Sequence, residues 1–213
     1  MIIFIYYTIL LYMKLYLSSY KFGNFTKELA DLAGTNKKAA VIMNALDWGD
    51  PVRVSKSTED QISTLNSLGY EAEPLDLRKY FNKSKELKEL MSNFGLVWVH
   101  GGNSFVLKRA YEQSGFDLII KELIEENKII YAGFSAGVVV ISPTLRGVEI
   151  VDDPNIVPEN QNYKKEFSEQ CLDVIKKKFH ILAEVILQTF GFITIIILFS
   201  ERLPQNYLRI PLF

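Results

Sequence analysis

The chain has 213 residues, 48% hydrophobic and 13% aromatic, which excludes a disordered chain and suffices for one α/β domain with some surplus. Lys+Arg is 24 and Asp+Glu is 25, so the net charge is -1 and no basic excess exists to drive nucleic-acid binding. The single cysteine, Cys171, excludes an internal disulfide and a cysteine-built zinc site. Residues 1–12 open an uncharged apolar run too short to span a bilayer as a helix. They read as an extension ahead of a working start at Met13, with a membrane-surface anchor as the rival reading. From Lys14 the periodicity switches repeatedly. Lys14–Ser18 reads as a short strand and Thr26–Leu32 as a short helix stopped by Gly34. The unbroken apolar run Ala39–Ala45 fits a strand buried on both faces. Ser57–Leu68 has helical spacing, and Glu71–Leu77, with Pro74 inside it, fits a strand toward a sheet edge. Lys83–Met91 is an amphipathic helix and Gly95–Val99 a buried strand. Asn103–Gln113 and Phe116–Asn127 are helices split at Ser114-Gly115. Lys128–Ala132 is a further buried strand, and a helix of small residues follows Ser135. This alternation predicts an α/β fold, a parallel sheet flanked by helices on both faces, with ligands at the carboxyl ends of the strands.

The C-terminal part reads differently. Residues 183–213 form an apolar tail, and the run 185–199 carries no charge. A buried strand, a buried helix and a membrane attachment are each compatible with it.

The chemistry concentrates where the strand KIIYA runs into Gly133-Phe134-Ser135-Ala136-Gly137. G-x-S-x-G between a buried strand and a helix is the pattern of a nucleophile elbow. A sharp strained turn there lifts the Ser135 hydroxyl clear of the sheet, and flanking glycines avoid collision with neighbouring elements. The Ala136 N–H would then face a developing oxyanion. His100-Gly101-Gly102-Asn103 ends the preceding strand in the same way. Gly102 is the expected second oxyanion donor, with Gly101 and Asn103 at the substrate. Asn103 as the N-cap of the next helix is a compatible reading. A serine nucleophile requires a base and an orienting acid. The two histidines are His100 and His180, and the acids after the elbow are Glu149, Asp152 and Asp153.

Together the elbow GFSAG, the upstream GGNSF, the helix end YEQSGFD, the segment SPTLR and the opening MKLYLSSYKFGN resemble the dipeptidase E (peptidase E) family, which includes cyanophycinase-like enzymes. The resemblance covers about residues 13–182. It implies a fold like the class I glutamine amidotransferases, flavodoxin-like in its layers, with serine in place of cysteine. It also implies a metal-free and cofactor-free Ser-His-acid hydrolase acting on small peptides, dipeptides with N-terminal aspartate among them. Ser135, Gly101, Gly102 and Asn103 match the family pattern. By position the family's acid falls at Ile150, so Glu149 and Asp152 are the candidates beside it. The family's base is a histidine preceded by proline, and Ala183-Glu184 stand in that place. His180 comes earlier on the same expected strand, displaced by about 13 Å along its axis. The expected protein is a cytoplasmic serine peptidase without nucleic-acid or membrane partners, slow or inactive for want of that histidine. A change of reading frame near residue 182 would account for the divergent tail. A non-catalytic binding module on the same fold, and a membrane-attached protein using residues 185–199, are the alternatives.

Overall fold

The computed structural model describes residues 13–174 and 194–198. Six strands form one sheet: β1 Lys14–Ser18, β2 Lys38–Ile42, β3 Glu71–Pro74, β4 Leu96–Val99, β5 Ile130–Phe134 and β6 Thr194–Leu198. Their spatial order is β3-β2-β4-β5-β1-β6. Strands β1 to β5 pair in parallel, and β6 pairs antiparallel with β1. The edge position of β3 follows from Pro74, which lacks an N–H for a second neighbour. β6 lies within the apolar run 185–199 and adds a strand to the edge that β1 would otherwise expose. The expectations for residues 1–12 and for the remainder of the tail fall outside the described residues. No helix among the described residues is long and apolar enough to cross a membrane.

Among the described residues six helices accompany the strands: α1 Thr26–Leu32, α2 Pro51–Ser67, α3 Ser84–Met91, α4 Ser104–Ser114, α5 Phe116–Glu125 and α6 Ala136–Val139. Successive strand residues point to opposite faces, so each buried strand feeds two cores. Ala40 and Ile42, Val97 and Val99, and Tyr131 pack with Leu87, Leu107, Tyr111, Phe116 and Ile120 of α3, α4 and α5. Ala39 and Val41, Leu96 and Trp98, and Ala132 and Phe134 pack with Leu29 of α1 and Leu65 of α2. This division explains why the strands read as continuous apolar runs rather than alternating ones. The buried Trp98 stacks on Phe22 at 4.0 Å, and its indole N–H donates to Gln61 Oε1 at 3.0 Å. The one polar atom of that ring is therefore satisfied inside the core.

Element boundaries moved where turn chemistry outweighs periodicity. α2 starts at Pro51 rather than Ser57, because Asp50 accepts from the Arg53 N–H at 3.0 Å and proline occupies the first turn. β2 ends at Ile42, since Asn44–Leu46 tightens into a 3-10 turn. β5 is displaced toward Ser135 and ends at Phe134. The strand ends are nevertheless level across the sheet: Ile42 pairs with Val99, and Gly133 pairs with both Val99 and Leu17. That row brings the loops after β2, β4 and β5 to one edge.

Candidate active site

Ser135 leaves β5 with φ 50° and ψ -116° and stands as the N-cap of α6. A non-glycine residue in that region stores about 1–3 kcal/mol of strain, which persists only when its surroundings enforce it. The enforcement is visible on both flanks. A Cβ on Gly133 would lie 2.8 Å from the Val99 carbonyl oxygen, and one on Gly137 would lie 2.7 Å from the same atom. β5 and α6 therefore close on β4 only because both flanking positions are glycine. From beneath, the Tyr131 hydroxyl donates to the Gly137 carbonyl at 2.6 Å, with Tyr111 Oη 3.2 Å away. The Ser135 N–H donates to the Ser18 carbonyl at the end of β1, at 3.3 Å. The Ser135 hydroxyl has no hydrogen-bond partner among the described residues.

The loop after β4 faces this turn. A Cβ on Gly101 would approach the Ser135 Cβ to 2.9 Å, so only a glycine lets the loop lie this close to the serine side chain. Gly102 has φ 148°, and a Cβ there would meet the Ala45 carbonyl oxygen at 2.5 Å. The loop is stitched to the end of β2 at both sides: His100 N–H donates to Ile42 and Asn103 N–H to Ala45, each at 2.9 Å. Between these anchors the Gly102 N–H has no acceptor among the described residues, and neither has the Ala136 N–H. Two unengaged donors at the edge of a strained serine can stabilise negative charge on a tetrahedral carbon.

Asn103 is nearly inaccessible at 4% exposure. Its Oδ1 accepts from the N–H groups of Phe105 and Val106, and its Nδ2 donates to the Asp153 carbonyl at 3.0 Å. Its side chain thus caps α4 and ties it to the acidic loop. Asp152 joins the same corner, its Oδ2 accepting from the Ser104 N–H at 2.8 Å at the N-terminus of α4. Glu149 is exposed and accepts from the nearby Gly147 N–H. Asp153 closes a turn on Asn155. Of the acids after the elbow, Asp152 is the one whose carboxylate bonds to the helix following the glycine loop.

His100 is fully engaged elsewhere. Its Nδ1 lies 2.6 Å from the Gly101 carbonyl oxygen, which can only accept, so Nδ1 carries the proton. Nε2 is then the acceptor for the Ser57 hydroxyl at 3.2 Å. Burial pushes the imidazole below its usual range, the Lys21 charge adds to this, and the Gly101 hydrogen bond only partly opposes it. The ring is neutral at pH 7 and packs edge-on against Phe134 at 4.6 Å. His180 lies outside the described residues.

Three features of the site carry no spacing signal and are absent from the sequence reading. Ser57 reaches His100 from α2 only through the fold. Arg109, 2% exposed, donates to the carbonyls of Pro154, Ile156 and Lys165 and stacks on Phe167 at 4.4 Å. A charged residue inside the apolar stretch of α4 was the available cue. Beside the glycine loop, Asn44 Nδ2 donates to Asp47 at 2.7 Å and to Asp76 at 3.2 Å, and Tyr163 Oη donates to Asp47 at 2.5 Å. Burial raises the Asp47 carboxyl above its ordinary value, against the hydrogen bonds of Tyr163 and Asn44 and the Arg78 charge. Cys171 is half-buried, and burial pushes its thiol up to about 12, so it is not a reactive thiolate.

Comparison with known proteins agrees with this architecture. The chain is 36% identical over 67 residues to an uncharacterized peptidase of Listeria innocua, Lin0382, a match covering 32% of each protein. It is 31% identical over 99 residues to the Listeria monocytogenes uncharacterized peptidase Lmo0363, covering 46% of this chain and 47% of that one. The matched segments thus span less than half the length of these curated relatives. The fold matches the crystal structure of a candidate peptidase E protein from Listeria monocytogenes EGD-e. The TM-score is 0.64 at 20% identity, and the match covers 91% of this chain and all of that one. The sequence model of peptidase family S51 matches residues 16–178, which include the glycine loop, the strained serine and the acidic loop, and the chain belongs to that family.

Proposed function

We propose that the protein is a serine peptidase of the dipeptidase E type that cleaves short peptides, dipeptides with N-terminal aspartate among them, through an acyl-enzyme. The observation that carries this reading is Ser135: a residue of strained backbone at the end of β5, beside the loop that holds the Gly102 N–H, its hydroxyl and that N–H both without a partner among the described residues. In this mechanism Ser135 Oγ attacks the scissile carbonyl carbon and loses its proton to a histidine. The Gly102 and Ala136 N–H groups hold the resulting oxyanion. The protonated histidine then gives its proton to the leaving amine, and water repeats the sequence on the acyl-enzyme. Asp152 is the proposed acid. Both nitrogens of His100 are already bonded, so His180 is the proposed base, out of place by the family pattern. The rate is therefore expected to lie orders of magnitude below that of a protein with the complete triad, and oxyanion stabilisation supplies what remains. A cytoplasmic location without nucleic-acid or membrane partners belongs to the same proposal.

The test combines hydrolysis of an aspartyl dipeptide with labelling of Ser135 by a fluorophosphonate, read by mass spectrometry. Slow hydrolysis and slow labelling are expected, both abolished by Ser135→Ala. The double variant Ala183→Pro, Glu184→His should raise both rates at least tenfold, since general-base catalysis contributes about 10²–10⁴-fold. Hydrolysis surviving in Ser135→Ala would remove the reading. Absence of both hydrolysis and labelling in the parent and the double variant would favour the non-catalytic binding module.

A further inference from the structure

We propose that His100 is a positioning residue that aims the oxyanion-binding peptide; this rests on the reading of Ser135 and Gly102 given above. The peptide unit between Gly101 and Gly102 carries both groups concerned, the Gly101 carbonyl and the Gly102 N–H. No cis peptide bond occurs among the described residues, so the two lie in one rigid plane and point in opposite directions. His100 Nδ1–H holds the carbonyl at 2.6 Å. The N–H is thereby turned away from His100, and it meets no acceptor among the described residues.

This hold is needed because glycine resists nothing by itself. Gly102 at φ 148° lies where glycine moves freely, and rotation of the peptide would swing the donor off the oxyanion at little cost. Anchors at His100 N–H and Asn103 N–H fix the ends of the loop but not the plane between them. The ring is in turn fixed on two sides. The Gly101 carbonyl, an acceptor only, fixes the proton on Nδ1, so Ser57 Oγ donates to the bare Nε2, and Phe134 packs against the ring edge. Phe134 directly precedes Ser135, so the nucleophile's strand and the oxyanion loop share one spacer.

A merely structural His100 would affect stability; a positioning His100 affects the transition state selectively. His100→Phe keeps an aromatic ring against Phe134 and removes the N–H. It is expected to lower kcat for an aspartyl dipeptide and the labelling rate of Ser135 by about 10–100-fold, with KM within about threefold, since loss of a whole oxyanion donor costs about 10²–10³. His100→Asn restores an amide N–H near the place of Nδ1 and should recover most of both rates. Nitrogen NMR of the parent should show Nδ1 protonated and Nε2 unprotonated at neutral pH, a readout independent of turnover and of variant folding. Equal rates in the parent and His100→Phe, or the opposite tautomer, would overturn the proposal while leaving the nucleophile intact. Hydrolysis by Ser135→Ala would instead overturn the reading on which it rests.

Discussion

At the scale of single residues, the site depends on a conformation that its central side chain resists. Ser135 stands at φ 50° and ψ -116° between two glycines that are packed against the Val99 carbonyl. Glycine occupies that region without the Cβ penalty, at the cost of a more flexible unfolded chain. Ser135→Gly should therefore abolish labelling and hydrolysis while raising stability by about 1 kcal/mol, as relief of strain outweighs the entropy lost. Urea unfolding of the two proteins measures it. A less stable Ser135→Gly would mean that the turn carries no stored strain. The flanking glycines have the opposite character, because added atoms at either would press on the Val99 carbonyl.

At the scale of elements, the chain from residue 140 to 174 is mostly irregular, yet it carries the candidate acid. Its order comes from α4. Arg109 collects three carbonyls of this segment, and Asn103 and Ser104 at the start of the same helix bind Asp153 and Asp152. One helix therefore positions the glycine loop and the acid together. Arg109→Met keeps the aliphatic stem and leaves those carbonyls without a partner. It should cost about 2–3 kcal/mol, the range for losing hydrogen bonds to a charged group. Hydrogen exchange should accelerate across residues 152–167 while the N–H groups of β4 and β5 stay protected. Uniform acceleration across the sheet would show instead that Arg109 supports the whole core.

At the scale of the whole molecule, a polar cluster joins the ends of β2 and β3 to the late segment. Arg78 forks onto Asp76, with Nε and Nη2 each 2.8 Å from its carboxylate oxygens, and also bonds Gln161. Gln161 donates to the Asp47 carbonyl at 2.7 Å. The two acids respond to pH in opposite directions. Burial raises Asp47, so its ionisation opposes folding, and that part of the stability is lost as pH rises through the folded pKa. Burial also raises Asp76, but the Arg78 hydrogen bonds and charge together outweigh it and leave the carboxyl below 3.8. Its contribution is present above 3.8 and disappears as pH falls through the lower folded value. Asp76→Asn should thus cost about 1 kcal/mol at pH 7, kept small because water screens the half-exposed Arg78. The difference from the parent should shrink toward about pH 3. An equal difference at both pH values would show that the carboxylate charge is not what binds Arg78.

The sequence by itself determined the layered α/β architecture, the edge strand at Pro74 and the turn at Ser135. Each rests on local physics: apolar runs that require two covered faces, a proline that cannot pair twice, and glycines flanking a strained residue. It also placed His100, Gly102 and Asp152 among the residues near the chemistry. It left open which of them touch. Asp152 rather than Glu149 binds the start of α4, and His100 is bonded through both nitrogens to Ser57 and Gly101. Those partners lie on different elements and meet only because the parallel sheet aligns Ile42, Val99 and Gly133 in one row. Side-chain direction at that edge is set by contacts between segments far apart in the chain, which periodicity and spacing do not encode. The same holds for Arg109 and Asn44, whose hydrogen bonds exist only once the fold has closed over them.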